Sequence, residues 1–174
     1  LFFKTMEIRK AQPKDIPSIQ KIAFDTWQSA YGEILGQSQI DYMLDLMYNK
    51  DILEQQMNES QTFLIIQDGD IDMAFVSFET DYDGQAQTKI HKIYISPAAQ
   101  GKGLGKILIE ETESQAIKKR NSKLLLNVNR QNKARFFYEK LGFKIAYSED
   151  IEIGNGYLMN DFVMVKEIER VVGR

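Results

Sequence analysis

Ile93-Tyr94-Ile95-Ser96-Pro97-Ala98-Ala99-Gln100-Gly101-Lys102-Gly103-Leu104-Gly105-Lys106 reads as the end of a strand, a short turn, a glycine-rich loop and the start of a helix. Glycines at 101, 103 and 105 let a backbone approach a ligand closely, because no Cβ stands in the way. A helix beginning there aims several N–H groups without intrahelical partners at one point. Those donors, at the positive end of the helix dipole, suit an anion such as phosphate. Two familiar phosphate loops are excluded. A P-loop needs G-x-x-x-x-G-K-[ST], but Gly101 and Gly105 are one residue too close and Ile107 follows Lys106. A dinucleotide loop needs G-x-G-x-x-G, and its last position is Lys106. What remains is Q-x-x-G-x-G, filled by Gln100, Gly103 and Gly105. Taken alone, it also fits a strand-to-helix turn that binds nothing.

A second segment bears on that choice. Leu124–Val128 is a short apolar strand, followed by Asn129-Arg130-Gln131-Asn132-Lys133-Ala134-Arg135-Phe136-Phe137-Tyr138-Glu139-Lys140-Leu141-Gly142-Phe143. Ala134, Phe137 and Leu141 fall at helical spacing and are expected to face the core, with Tyr138 beside that stripe. Gly142 is placed to end the helix. The loop Gln100–Lys106 and the ending A-x-x-F-Y-E-K-L-G-F together resemble the GCN5-related N-acetyltransferases, which bind acetyl-coenzyme A. The resemblance extends over nearly the whole chain and is nearest to bacterial members described as ribosomal-protein or polyamine acetyltransferases.

Composition narrows the class. The chain has 174 residues, 43% apolar and 27% charged, an ordinary balance for one globular domain. One domain over 6–170 is expected, with residues 1–5, ahead of Met6, as a leader or cloning remnant. There is no run of eighteen apolar residues, so no transmembrane helix is expected. No cysteine is present, which excludes disulfides, thiolate metal sites and a cysteine nucleophile. No metal is expected, and a cytoplasmic location is the simplest reading. A net charge of −3 argues against nucleic acid as a partner, because duplex binding rests on phosphate neutralisation. It is compatible with a cationic amine, and equally with a plain acidic surface.

Along the chain, Met6–Gln12 reads as a strand and 13–31 as an amphipathic helix carrying Ile16, Ile19, Ile22 and Trp27. Ser38 is the expected N-cap of a helix over 39–48, and Lys50–Glu59 is expected to be a further short helix. Thr62–Gln67 and Ile71–Thr80 form a hairpin around Asp68-Gly69-Asp70. Then come strand 89–96, helix 103–120, strand 123–128, helix 133–141, strand 143–148 and strand 157–168, with Asn155-Gly156 as a turn. The fold class is α/β with a mixed sheet. The resemblance implies about seven strands flanked by about four helices, with a right-handed β-α-β crossover making the fourth and fifth strands parallel.

The resemblance also implies roles. The cofactor's pantetheine arm would lie against the fourth strand, with main-chain contacts from Ile93, Tyr94 and Ile95. Gln100, Gly101, Lys102, Gly103, Leu104, Gly105 and Lys106 would hold the pyrophosphate. Asn132, with Gln131 as its competitor, and Tyr138 would lie near the thiol. Tyr138 is then the expected acid for the departing sulfur, and the Ile95 N–H the expected donor to the thioester oxygen. By spacing alone, Tyr138 equally fits a packed aromatic with a solvated hydroxyl. Strand alternation puts Lys89, His91, Ile93 and Ile95 on one face. His91, the one histidine, is a base expected there, since imidazole titrates near neutrality; Glu79 on the preceding strand is its rival, and a packed histidine the plain alternative. Several relatives carry a glutamate where this chain has Lys89.

Acceptor pockets in the family come from the first two helices and the last hairpin. Here that implies Trp27, Tyr31, Tyr157 and Asp161, with Tyr42 and Asn160 nearby; aromatic faces with an acid suit an amine. Trp27 and Tyr42 equally fit ordinary helix packing. The function implied is acetyl transfer from acetyl-coenzyme A to a primary amine of a polyamine-like small molecule or a peptide or protein N-terminus. The alternative is a non-catalytic acyl-coenzyme A sensing module. No nucleic-acid or membrane partner is expected, and a homodimer is compatible with the fold.

Overall fold

The computed structural model describes residues 6–169; the leader expected at 1–5 and residue 170 lie outside them. Strand β1 (Met6–Lys10) leads through a single 3₁₀ turn (Pro13–Asp15) into helix α1 (Ile16–Tyr31). Asp15 fixes that entry. Its carboxylate accepts the Gln12 N–H at 2.8 Å and both terminal nitrogens of Arg9 at 2.8 and 2.9 Å. The Arg9 guanidinium therefore holds the Asp15 carboxyl below the usual carboxylate range, although burial opposes it. Helices α2 (Gln37–Tyr48) and α3 (Lys50–Glu59) follow. Gly36, not Ser38, is the N-cap of α2, so Ser38 lies inside the first turn. Asn49 caps α3 through its side chain, accepting Ile52 N–H at 2.9 Å.

Strands β2 (Thr62–Asp68) and β3 (Ile71–Glu79) form the expected hairpin. Phe63–Ile66 and Met73–Phe78 are buried without alternation, the signature of strands covered on both faces. Strand β4 (Gln87–Ile95), helix α4 (Leu104–Lys118), strand β5 (Lys123–Asn129) and helix α5 (Ala134–Lys140) come next. Strands β6 (Lys144–Gly154) and β7 (Tyr157–Glu167) end the series, turning at Asn155 (φ 53°) and Gly156 (φ 76°). Two successive positive φ angles are what a tight hairpin turn requires. Strand β6 is longer than the expected 143–148. The strand order is β1-β2-β3-β4-β5-β7-β6 in one seven-stranded mixed sheet, with β4 and β5 parallel. Among the described residues five α-helices accompany it, α3 being the further short helix expected at Lys50–Glu59.

The described residues gather into two compact units. One runs to Phe78 and takes in Lys92–Ile109; the other comprises Glu79–His91 and the chain from Glu110 onward. In the first, Ile16, Ile19, Ala23 and Trp27 of α1 belong to the core with Ile40, Met43 and Leu53. In the second, Leu124, Leu126 and Val128 of β5 are inward while the residues between them are half-exposed, and β7 contributes Val163 and Met164. Asn121 pins two turns of this unit. Its Oδ1 accepts from Thr88 Oγ1 at 2.6 Å and from Asp81 N–H at 3.0 Å, and its Nδ2 donates to Asp81 Oδ1 at 2.7 Å.

A lysine is buried inside the first unit. Lys92 is 4% exposed and donates to Gln56 Oε1 at 2.8 Å. Its ammonium lies 5.7 Å from the Tyr48 ring centre and 5.8 Å from that of Phe63. Burial pulls it from the ordinary lysine value down to about 8. Below pH 8 both folded and unfolded chains carry the proton, and the fold bears the full cost of a buried ammonium, about 3 kcal/mol. As pH rises from 8 towards 10.5 the unfolded chain holds more protons, so stability rises and that cost disappears. Urea unfolding of wild type and Lys92→Met at pH 7 and pH 10 is expected to show the variant's relative advantage shrinking by about 3 kcal/mol at the higher pH. An advantage independent of pH would contradict the burial argument.

Candidate active site

In the first unit, β4 ends at Ile95 and the chain turns through Pro97–Ala99 into the glycine loop. The Ser96 N–H donates to Met73 O at 2.8 Å, which anchors the turn to β3. Thr26 Oγ1 of α1 and Gln100 Nε2 both donate to Ile95 O, at 3.3 and 3.4 Å. Gln100 thus ties the loop back to the strand that precedes it. Gly101 (φ 80°) and Gly103 (φ 77°) are left-handed, which side-chain-bearing residues rarely adopt. A Cβ added at either would meet no atom within 4 Å. These glycines are therefore required by backbone angle, not by packing within the chain.

Helix α4 begins at Leu104, and the first intrahelical bond runs from Ile107 N–H to Gly103 O at 3.2 Å. The N–H groups at the start of such a helix have no carbonyl four residues back to accept them. Leu104 is 1% exposed and seats the helix, while Gly101, Lys102, Gly103 and Lys106 are exposed. No acidic side chain occurs between Ile93 and Lys106, and two lysines do. An open, glycine-cleared helix N-terminus flanked by lysines suits an anion such as a diphosphate.

Strand β4 shows the expected alternation. Thr88, Ile90 and Lys92 are buried, while Lys89, His91, Ile93 and Ile95 are half-exposed. Its parallel ladder with β5 covers Gln87–Ile90 against Lys123–Leu126, and β4 continues beyond the last rung to Ile95. Tyr94 turns its ring towards Phe75 and Trp27, at 5.9 and 6.3 Å between centres, so its main chain is what it offers a ligand.

In the second unit, His91 Nε2 lies 3.0 Å from Glu79 Oε2, and their side chains are 22% and 26% exposed. The Tyr82 ring meets the His91 ring edge-on at 5.7 Å. His91 and Glu79, considered as rivals from sequence, are thus partners. When Nε2–H donates to Glu79, Nδ1 carries the basic lone pair.

Helix α5 presents a different face from the one expected. Tyr138 is 8% exposed, whereas Phe137 is 37% exposed and Ala134 and Leu141 are intermediate. The Tyr138 ring packs edge-on against Phe143 at 5.9 Å. Gly142 (φ 96°) ends the helix as expected, and the Phe143 N–H returns to Tyr138 O at 3.1 Å. That return folds Phe143 under the helix and draws Tyr138 inward. Asn132 Oδ1 accepts the Ala134 N–H at 2.9 Å, so its carbonyl oxygen is engaged at the helix start. Gln131 is exposed.

The expected acceptor residues have varied surroundings. Trp27 and Tyr31 are 1% and 6% exposed, with ring centres 4.7 Å apart, and are core residues of the first unit. Tyr42 and Tyr157 are half-exposed. Asp161 is 5% exposed, opposite Asn129 of β5 and Glu149 of β6. Asn160 is exposed on the same strand.

Sequence reasoning missed the network around Asp161. Lys89 Nζ donates to Asn127 Oδ1, and Asn127 Nδ2 donates to Glu149 Oε2 at 3.2 Å and Asp161 Oδ2 at 3.3 Å. Burial pulls the Lys89 ammonium below its ordinary value, and Glu149 and Asp161 oppose that pull. Burial pushes the Asp161 carboxyl up, countered by the Asn127 hydrogen bond. Period-two alternation in β4, β5 and β7 could have placed these residues on one face, had the register been known.

Among the described residues, no group of three or more His, Asp or Glu is placed to hold a metal, and no helix is long and apolar enough to cross a membrane. The family profile described as an acetyltransferase (GNAT) domain matches residues 35–165. The spermidine N(1)-acetyltransferase of Thermoplasma acidophilum is 27% identical over 95% of this chain and 99% of its own. The crystal structure of the PaiA N-acetyltransferase from Thermoplasma acidophilum in complex with coenzyme A superposes with a TM-score of 0.78 at 27% identity, over 94% of this chain and 99% of that one. The ribosomal-protein-S18-alanine N-acetyltransferase of Escherichia coli shares the fold, with a TM-score of 0.71 at 18% identity over 94% of each chain.

Proposed function

Because the chain belongs to the GNAT acetyltransferase family, we propose that it transfers the acetyl group of acetyl-coenzyme A to a primary amine by direct attack, with both substrates bound together. The observation that carries this is the loop at the start of α4, where Gly101 and Gly103 hold left-handed angles over open space. The spermidine acetyltransferase at 27% identity supports an amine as acceptor. Bound acetyl-coenzyme A supplies a thioester, an acyl group already activated for attack by nitrogen.

The chain's own residues do the rest. Main-chain N–H groups of 103–106 and the Lys102 and Lys106 side chains hold the diphosphate. Ile93–Ile95, past the last rung with β5, offer main-chain groups to the pantetheine arm, and the Ile95 N–H is the donor for the thioester oxygen. His91, backed by Glu79 at 3.0 Å, accepts the proton of the incoming ammonium. The Tyr138 hydroxyl holds a proton for the departing sulfur. Tyr138→Phe is expected to lower kcat at least tenfold while leaving the Kd for acetyl-coenzyme A within about threefold, since general acid catalysis contributes roughly 10²–10⁴ and water replaces part of it. Unchanged kcat would remove Tyr138 from the chemistry.

The functional test is thiol release from acetyl-coenzyme A in the presence of monoamines, polyamines and peptide N-termini, with the acetylated product identified by mass. Amine-dependent release supports the transfer reaction. Tight cofactor binding with no turnover on any amine would replace it with an acyl-coenzyme A sensing role.

A further inference from the structure

The polar network of the second unit has the composition of an ammonium site, and an ammonium already sits in it. Two carboxylates, Glu149 and Asp161, accept from the same amide, Asn127 Nδ2. The other end of that amide, Asn127 Oδ1, accepts from Lys89 Nζ. The Tyr82 ring centre is 5.9 Å from the same nitrogen, within cation–π range. Asp161 is 5% exposed, and its Oδ1 is buried without a hydrogen-bond partner. An enclosed carboxylate oxygen with nothing to accept is costly, and an N–H donor of a small cation would relieve it.

The place of this network gives it meaning. Lys89 and His91 are on the same half-exposed face of β4, two residues and therefore ~7 Å apart along the strand. Tyr82 touches both, through its contact with Lys89 and its edge-on packing with His91. An extended chain of about four carbons spans such an interval. A diamine with one nitrogen at His91 would thus bring its second nitrogen towards the Lys89 side of Tyr82.

We propose that Asn127, Glu149 and Asp161 form an ammonium subsite beside His91, and that Lys89 fills it with the chain's own ammonium, so that the enzyme selects acceptor amines carrying a single positive charge. A second charge on the acceptor finds the subsite taken and meets Lys89 as a like charge. The inference rests on the amine-acetyltransferase reading for its kinetic consequence; the subsite itself is tested by binding alone.

The test is calorimetric titration of the whole chain with 1,4-diaminobutane and with 1-aminobutane. Lys89→Ala is expected to tighten diamine binding at least tenfold over wild type and to leave 1-aminobutane within about twofold, because only the diamine has a nitrogen for the opened subsite. Lys89→Arg, which keeps an internal cation, is expected to bind both as wild type does. Adding Asp161→Asn to Lys89→Ala is expected to cancel the gain. Equal changes for both amines, a gain in Lys89→Arg, or a gain that survives Asp161→Asn would each overturn the proposal. Should Lys89→Ala fail to fold by circular dichroism, Lys89→Gln carries the same expectations. With acetyl-coenzyme A present, the kcat/KM ratio of diamine to monoamine is expected to rise at least tenfold in the same variant. If no amine is acetylated by any form of the protein, the transfer reading fails while the titrations still decide the subsite.

Discussion

Replacing His91 with alanine is expected to lower kcat/KM for a primary amine about a hundredfold at pH 7 and by only a few fold at pH 10. An alkyl ammonium has a pKa of about 10.4, so at pH 7 about one molecule in a few thousand is the free amine. That deficit is worth roughly 4–5 kcal/mol, and a positioned base recovers part of it. His91 is half-exposed, on the β4 face that continues to Ile93 and Ile95, with Nε2 turned to Glu79 at 3.0 Å. As pH approaches 10 the amine loses its proton to solvent and the advantage of a base fades. The narrowing ratio separates the assignment from a structural role, which would depress the rate by a similar factor at every pH. Glu79→Gln is expected to lie between the two, because it keeps a hydrogen-bond partner but removes the charge that favours the imidazolium. Parallel pH–rate profiles for wild type and His91→Ala would exclude His91 as the base.

The second large effect is at Gly103. Gly103→Val is expected to weaken acetyl-coenzyme A binding about a hundredfold while the protein remains folded. The residue holds φ 77°, so a side chain there strains the backbone by about 1–2 kcal/mol. A Cβ would meet nothing within 4 Å, so no clash inside the chain adds to that strain. The larger loss falls on the ligand. A branched side chain at the mouth of α4 keeps an anion from the N–H groups there, and charge-assisted hydrogen bonds are worth about 1.5–3 kcal/mol each. Losing one or two of them gives the hundredfold figure. Urea unfolding isolates the strain, and titration with acetyl-coenzyme A isolates the binding. A variant that loses stability but binds normally would mean the glycine serves only the turn.

What the sequence made legible follows from which interactions are local. The loop at 100–106 could be read because glycine spacing reports backbone angles directly, and Gly101 and Gly103 do hold positive φ. The two faces of β4 could be read because alternation has a fixed period of two. Helix α5 could not, because seven residues give too short a stripe to separate Phe137 from Tyr138. The return of Phe143 beneath the helix decides it, and that is set by tertiary packing. Strand β6 was expected to end at Ser148 but runs to Gly154. Its Glu149, Asp150 and Glu152 look like loop residues, yet on the last strand of the sheet Asp150 and Glu152 are solvated, while Glu149 alternates onto the face of Asn127 and is half-buried. The pairing of Glu79 with His91 and the enclosure of Lys89 with Asp161 depend on strand register, which no local pattern reports. The aromatic residues of α1 carry the opposite lesson. Trp27 and Tyr31 have the chemistry of an amine cage, and their 1% and 6% exposure places them in the core.

The account depends most on the amides at the start of α4 holding the diphosphate of coenzyme A. Calorimetric titration of the wild-type chain with coenzyme A tests this directly. Saturable one-to-one binding, retained by 3′-dephospho-coenzyme A, which keeps the diphosphate, and abolished with pantetheine, which carries no phosphate, is the predicted result. No binding of coenzyme A, or equal binding of pantetheine without any phosphate, would contradict it.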